Sequence, residues 1–332
     1  MVRSSLALSV ITGKPVRIFN LRARRKKPGL AKQHLTAVNA AAEICNAEVS
    51  GNELQSQDVS FNPGAVKPGN YHFKIGTAGS STLVAQTVLP PLMIADAPSQ
   101  IQIDGGTHNE KAPPYEFLSL AYLPLVQRMG PSFKSELRSH GFYPAGGGSI
   151  AIEIHPASSL AGISLTELVK KHRPQVQALV SKLPLKIADR ECDKIRRKSY
   201  WDANRFESVE VTDSPGPGNV VMIFLKSEEL TEVFSAVGKI GIKAEQVASQ
   251  VYREANNYIK HSAPVGPHLA DQLLLPMGLA AAYHGQTSEF VTIDLTEHTT
   301  THVDILKRFL AVDVSVQIDS KLATIKVLPK TA

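Results

Sequence analysis

Glu297-His-Thr-Thr-Thr-His-Val-Asp-Ile-Leu-Lys-Arg-Phe-Leu310 follows an apolar run, residues 289–295, that reads as a strand, and it ends with Val303, Leu306 and Leu310 at helical spacing. Strand, polar loop and helix in that order make the unit of an α/β fold, and such loops are where α/β proteins place their chemistry. His298 falls in the predicted loop and is the candidate nucleophile. Threonines beside an imidazole can orient it or donate to a phosphate, and the N–H groups of the helix that follows face any anion held there. The same letters also read as a polar loop with two ordinary histidines, because a lone histidine is seldom catalytic.

Working outward, a helix over 269–283 precedes this strand, and the predicted helix 303–310 is followed by strands near 312–317 and 321–328. The order helix, strand, polar loop, helix, strand, strand recurs twice. Its first copy has a helix over 3–12 stopped by Gly13 and Pro15, a strand over 16–21, the basic loop Arg22-Ala-Arg-Arg-Lys-Lys-Pro-Gly29, a small-residue helix over 30–47, and strands over 48–54 and 58–62. The second has a strand over 71–75, a helix over 79–95, a strand over 100–104, the loop 105–114, a helix over 115–129 and a closing pair of strands around 141–148.

Three helix-and-strand modules of this length predict an α/β (α+β) fold in a pseudo-threefold arrangement rather than a solenoid of short units. The expected large domain comprises 1–165 and 263–332, with repeats 1–65, 66–165 and 263–332. Residues 166–262, which hold the only Trp, Trp201, read as a small inserted α/β domain with strands near 175–180, 206–211 and 219–225 and helices over 185–198 and 243–260. The second copy opens with a strand that the first lacks, which predicts a strand upstream of Met1. The three polar loops fall at equivalent strand ends and carry a basic cluster, a Gly/Pro platform and His298, which together suit an anion.

The totals are those of an ordinary soluble globular protein: 332 residues, 43% hydrophobic and 20% charged. A net charge of +6, from 36 Lys+Arg against 30 Asp+Glu, leans toward a polyanionic partner. Cys45 and Cys192 cannot make a framework of disulfides, so a reducing cytoplasm is expected. The first residues read as a helix rather than a signal peptide, and no stretch reaches the length that spans a membrane.

Arg22, Arg25, Lys26 and Lys27, with Gln33 and His34 just inside the next helix, suit phosphates because guanidinium forks bind them bidentately; a solvated basic loop is the alternative. Gly76-Thr-Ala-Gly-Ser-Ser-Thr82 opens a helix but lacks the lysine of a P-loop. His140-Gly-Phe-Tyr-Pro-Ala-Gly-Gly-Gly148 ends in three glycines, worth their entropy only where another chain or ligand comes close, or in a bulged hairpin turn. His298 and His302 lie four apart, but no Glu sits between them and no third ligand is evident, so metal binding by the pair is not expected.

That last glycine-rich stretch resembles the RNA 3′-terminal phosphate cyclases of bacterial type. Four further stretches agree in the same order: residues 22–35 with Lys-Pro-Gly-Leu and Gln-His-Leu, Gly79-Ser-Ser-Thr-Leu-Val-Ala-Gln86, Gly105-Gly-Thr107 to Ala112-Pro-Pro114, and Leu269-Ala-Asp-Gln-Leu-Leu-Leu-Pro-Met277. The resemblance implies three repeated α/β modules with a small inserted domain, akin to the enolpyruvyl transferases. It implies an enzyme that uses ATP and a divalent metal, Mg or Mn, to adenylate a histidine, pass AMP to an RNA with a 3′-terminal phosphate, and let the 2′-hydroxyl displace AMP to give a 2′,3′-cyclic phosphate. The family's histidine lies ten residues before Arg-Phe-Leu, which selects His298 over His302. By the same matching Arg3, Arg22, Arg25, Gln33 and His34 are implied as phosphate and RNA contacts. Gln86, Pro113, His268, Leu269, Ala270, Asp271 and Gln272 are implied as nucleotide contacts. No metal ligand is assigned. The chain departs from the pattern in beginning after the family's opening strand and Glu-Gly-Gly-Gly-Gln loop, in His268 where relatives usually carry tyrosine, and in Arg24 where they carry glycine. A truncated relative that only binds RNA is the alternative reading.

Overall fold

The computed structural model describes residues 2–293 and 295–330. Met1 and Asp294 lie outside them, and with Asp294 part of the strand expected over 289–295. The first unit runs α1 (Val2–Thr12), β1 (Val16–Ile18), α2 (Lys32–Glu43), β2 (Glu48–Ser50) and β3 (Val59–Asn62), with an antiparallel sheet in the order β1-β3-β2. The second is β4 (Asn70–Lys74), α3 (Ser81–Leu92), β5 (Ser99–Gly105), a π-helical turn at Phe117–Tyr122 running into α4 (Leu123–Gln127), β6 (Ser132–Ser139) and β7 (Gly148–His155). Its sheet order is β4-β5-β7-β6, with β4 parallel to β5 and the other pairs antiparallel.

A two-residue strand, β8 (Ser164–Leu165), precedes β9 (Arg173–Ser181), α5 (Lys186–Ser199), β10 (Phe206–Glu210), β11 (Gly218–Lys226), β12 (Thr231–Val237) and α6 (Ala244–His261). Strands β9 to β12 form a sheet of their own in the order β10-β9-β11-β12. The chain then continues through α7 (Pro267–His284), β13 (Ser288–Ile293), α8 (Glu297–Phe309), β14 (Val312–Asp319) and β15 (Leu322–Pro329). These strands pair in the order β14-β15-β13-β8, with β8 parallel to β13. The connectivity of the second sheet thus recurs here, interrupted between β8 and α7 by residues 173–261.

Hydrophobic pattern accounts for the elements. Every residue of α3 is buried, and so is nearly all of the middle of α7; both are apolar all round, which suits central helices. Pro267 at the first turn of α7 gives up no hydrogen bond, and Gly285 closes it in the left-handed region at φ 64°. Helices α5 and α6 instead bury one stripe each, Ala188, Glu191, Cys192 and Ile195 in the former and Val247, Ala248, Val251, Ala255 and Tyr258 in the latter. These face their own sheet in a cluster with Val176, Val221 and Ile223. The main cluster runs through Leu6, Val38, Val84, Ile103, Leu118, Leu274, Phe290 and Leu306, and it also takes in Leu230 and Val233. Strand β12 therefore has one face in each cluster and is the seam between them. No helix among the described residues is long and apolar enough to cross a membrane.

Several expected elements are corrected. Helix α8 begins at Glu297 rather than 303, so His298 lies in its first turn and not in a loop. The strands expected around 141–148 are β6 and β7, and 141–147 is the connection between them. The helix expected over 115–129 is a π turn followed by a short α-helix. Strands β8 and β12 went unrecognised.

Candidate active site

Five helix beginnings, of α1, α2, α3, α7 and α8, contribute to the candidate site. Thr296 caps α8, its hydroxyl accepting a hydrogen bond from Thr299 N at 3.1 Å. This leaves His298 exposed on the first turn, while His302, one turn on, is buried. His302 Nδ1 lies 2.7 Å from the carbonyl oxygen of Asp271. A carbonyl only accepts, so Nδ1 carries the proton and Nε2 is the bare nitrogen. Nε2 is buried with no hydrogen-bond partner among the described residues. Burial pushes His302 down to about 4, against the Asp271 carbonyl and with help from Arg3.

Asp271 sits in the second turn of α7, and Gln272 Nε2 donates to its Oδ1 at 2.9 Å. Burial raises its carboxyl above the usual range, opposed by that bond and by the charges of Arg3, His298 and His268. These three side chains are thus within electrostatic reach of one carboxylate. His268 is exposed at the start of α7, and Leu269 and Ala270 are buried behind it.

Arg3, in the first turn of α1, has its pKa lowered by burial, and Asp271 draws it back up. His34, in the first turn of α2, is held at about 4 by burial, by Arg22 and by Arg3. Its Nδ1 is buried without a partner among the described residues. Arg22 adopts φ 51°, and its Nη1 donates to the Gly29 carbonyl at 2.8 Å, which folds the basic loop back on itself. Arg25 is exposed in that loop.

Gln33 ties this cluster to α3. Its Oε1 accepts from Ser80 N at 2.8 Å, and Ser80 caps α3 by accepting from Leu83 N. Thr82 in the same first turn donates to the Pro113 carbonyl at 2.7 Å. Gln86, one turn further, has both amide atoms buried and unpartnered among the described residues. Arg3, His268 and His298 are therefore electrostatically coupled to Asp271, and Arg3 and Arg22 to His34. Gln33, Pro113 and Gln86 join them through α3, whereas Arg25 is exposed in the basic loop. The glycine-rich stretch is packed tightly against its own chain: a Cβ on Gly146 would meet the Thr77 backbone at 2.8 Å, and one on Gly147 would meet Pro215 at 2.5 Å. The close approach is by this chain itself. Beside it, His108 Nε2 lies 2.8 Å from Glu116, and His140 Nδ1 lies 2.7 Å from Asp213.

His302 and Thr296 have structural roles here that the sequence reading did not assign. A threonine three residues before another polar residue is a capping signal that could have found Thr296. Nothing in the sequence separates a buried histidine from an exposed one four residues away.

A profile of the family described as RNA 3′-terminal phosphate cyclase matches residues 1–316. A protein of that name from Ectopseudomonas mendocina (strain ymp) is 44% identical over 314 residues, covering 95% of this chain and 90% of its own length. Another so named, from Salmonella enteritidis PT4 (strain P125109), is 44% identical over 315 residues, with 95% and 91% covered. A third, from Koribacter versatilis (strain Ellin345), is 42% identical over 325 residues, with 98% and 90% covered.

Proposed function

Because the chain belongs to the RNA 3′-terminal phosphate cyclase family, we propose that it uses ATP to convert an RNA 3′-phosphate to a 2′,3′-cyclic phosphate, with His298 as the nucleophile. An imidazole nitrogen of His298 attacks the α-phosphorus of ATP, the bond to the β-phosphate oxygen breaks, and diphosphate leaves. The RNA 3′-phosphate oxygen then attacks that phosphorus and the His298–P bond breaks. The neighbouring 2′-hydroxyl attacks the RNA phosphorus, loses its proton, and AMP departs. Neutral imidazole serves both loading and transfer, being a good nucleophile near pH 7 and a good leaving group once bonded to phosphorus.

The observation that carries the reading is the exposed His298 at the first turn of α8, next to Asp271 and backed by a buried, neutral His302. The N–H groups of that turn favour an anion beside the nucleophile. Arg3 and Arg22 would stabilise charge on the phosphates during attack, with Arg25, Gln33 and His34 toward the RNA end. His268 with Pro113 would flank the base, and Leu269, Ala270, Asp271 and Gln272 would line the nucleotide. The unpartnered donor and acceptor of Gln86 match a ligand edge that offers both, as adenine does. The divalent ion implied by the resemblance finds no group of three ligating side chains among the described residues. Among the described residues none therefore fit a protein-held metal site, and no step above runs through one. We place the inserted domain at 166–262 and the repeats at 1–65, 66–165 and 263–332, as expected from sequence.

Incubation with ATP labelled at the α-phosphate is expected to leave acid-labile, alkali-stable label on the protein, lost in His298→Ala and kept in His302→Ala. Label that survives the first substitution would refute the assignment.

A further inference from the structure

The carboxyl group of Glu232 is buried deep in the seam between the two hydrophobic clusters, far along the chain from every residue assigned above. Glu232 lies in β12 and is 1% exposed. Its Oε1 accepts a hydrogen bond of 2.6 Å from Gly266 N. Gly266 caps α7, and its own carbonyl accepts the first helical bond, from Ala270 N at 3.0 Å. One residue is thus held through both its N–H and its carbonyl. A Cβ on Gly266 would meet Glu232 Oε2 at 2.8 Å and Cδ at 2.9 Å, so the glycine is what lets the carboxyl come so near. The residues leading into the cap are fixed as well: Tyr258 donates its hydroxyl to the Pro264 carbonyl at 2.9 Å, and Val265 N donates to Val291 O at 3.1 Å.

We infer that Glu232 is a positioning residue that sets where the first turns of α7, and with them His268 and Asp271, stand relative to α8. This rests on the functional reading above, since it takes residues 268–272 as nucleotide contacts. A buried glutamate is an expensive way to hold one N–H, and an apolar residue would fill the seam with less penalty. What the carboxyl adds is a fixed acceptor at the one N–H that defines where α7 begins. Burial holds its pKa at about 8, opposed by the Gly266 N–H, so near neutral pH it accepts that bond without placing a negative charge beside the helix end assigned to the nucleotide. Strand β12 reaches this point from the inserted sheet, which gives that sheet a direct hold on the site.

The test uses the full chain with Glu232→Gln, which keeps the acceptor oxygen, and Glu232→Leu, which removes it. ATP binding is measured by calorimetry, and cyclisation is measured separately from RNA already adenylated at its 3′-phosphate. E232L is expected to weaken ATP binding about tenfold and E232Q to stay within about twofold, while the step from adenylated RNA changes by less than about twofold in both. Equal ATP binding by E232L and wild type, or an equal loss in E232Q, overturns the inference. If E232L does not fold, Gly266→Ala decides. Alone it is expected to weaken ATP binding about fivefold, and combined with Glu232→Asp, whose shorter side chain makes room for the methyl group, to recover most of it. Absence of that recovery overturns the inference. Absence of ATP binding by the wild type refutes the functional reading and takes this inference with it, whereas wild-type binding that E232L shares refutes the inference alone.

Discussion

Replacing His302 with leucine should change the stability of the protein in opposite senses at two pH values. At pH 7.5 the substitution removes the Nδ1–H donor 2.7 Å from the Asp271 carbonyl. Losing that hydrogen bond costs about 0.5–1.5 kcal/mol, so a net loss of about 1 kcal/mol is expected. Acid reverses the comparison. His302 is held at about 4 in the folded protein, against about 6.5 for an ordinary histidine. Its native pKa is depressed, so between these values the unfolded chain binds the proton that the folded one refuses. Stability is therefore intact above 6.5 and is lost as pH falls toward 4. Integrated from pH 7.5 to 5, the wild type loses about 2 kcal/mol through this one group, and the leucine variant is spared that loss. The variant should be less stable than wild type by about 1 kcal/mol at pH 7.5 and more stable by about as much at pH 5. His34 and the buried carboxyls titrate in both proteins and cancel in the difference. Urea unfolding at the two pH values measures it. A difference between variant and wild type that is the same at both, within about 0.5 kcal/mol, would refute a buried neutral His302.

Glu191→Gln should act at the other end of the pH range. Burial raises Glu191 to about 8, despite the Asn219 amide bonded to it, so the folded protein keeps a proton that the unfolded chain gives up above about 4.5, and stability is lost as pH rises between the two. The glutamine variant should gain about 3 kcal/mol on wild type between pH 5 and 7.5, read by denaturant unfolding, and a constant difference would contradict the buried acid. Thr296→Ala removes the cap of α8 and should cost about 1 kcal/mol while slowing label transfer to His298 several-fold; unchanged labelling would mean that the cap does not set the nucleophile.

The order of elements was legible because most helices and strands here have one dry face, as the buried stripes of α5 and α6 do. Strand β12 was missed because Glu232, Val233 and Phe234 are buried in succession, so a strand with a core on each side shows no alternation. Strand β8 is two residues long and gives no pattern at all. The start of α8 was misread because Thr299-Thr-Thr301 is β-branched and argues against a helix. In the structure these hydroxyls work for the helix: Thr301 Oγ1 donates to the Glu297 carbonyl at 2.6 Å, and Thr300 Oγ1 donates there at 3.2 Å. The glycines at 146 and 147 announced a close approach, but only the fold reveals that Thr77 and Pro215 are what approaches.

The two histidines of α8 put the limit of sequence reading in one place. They are four residues apart and share a helix face, yet one is exposed and the other is 8% exposed with its proton fixed on Nδ1. Sequence spacing can say that they lie together, and the resemblance can say which one matches a nucleophile. Neither can say that the second binds the backbone of α7. That bond ties α8 to α7, so a displacement of the turn at Asp271 is also felt by the turn that carries His298. Glu232 holds the same helix from its other side, through Gly266. Two titratable groups that are neutral near pH 7 therefore fix α7 without adding charge to it.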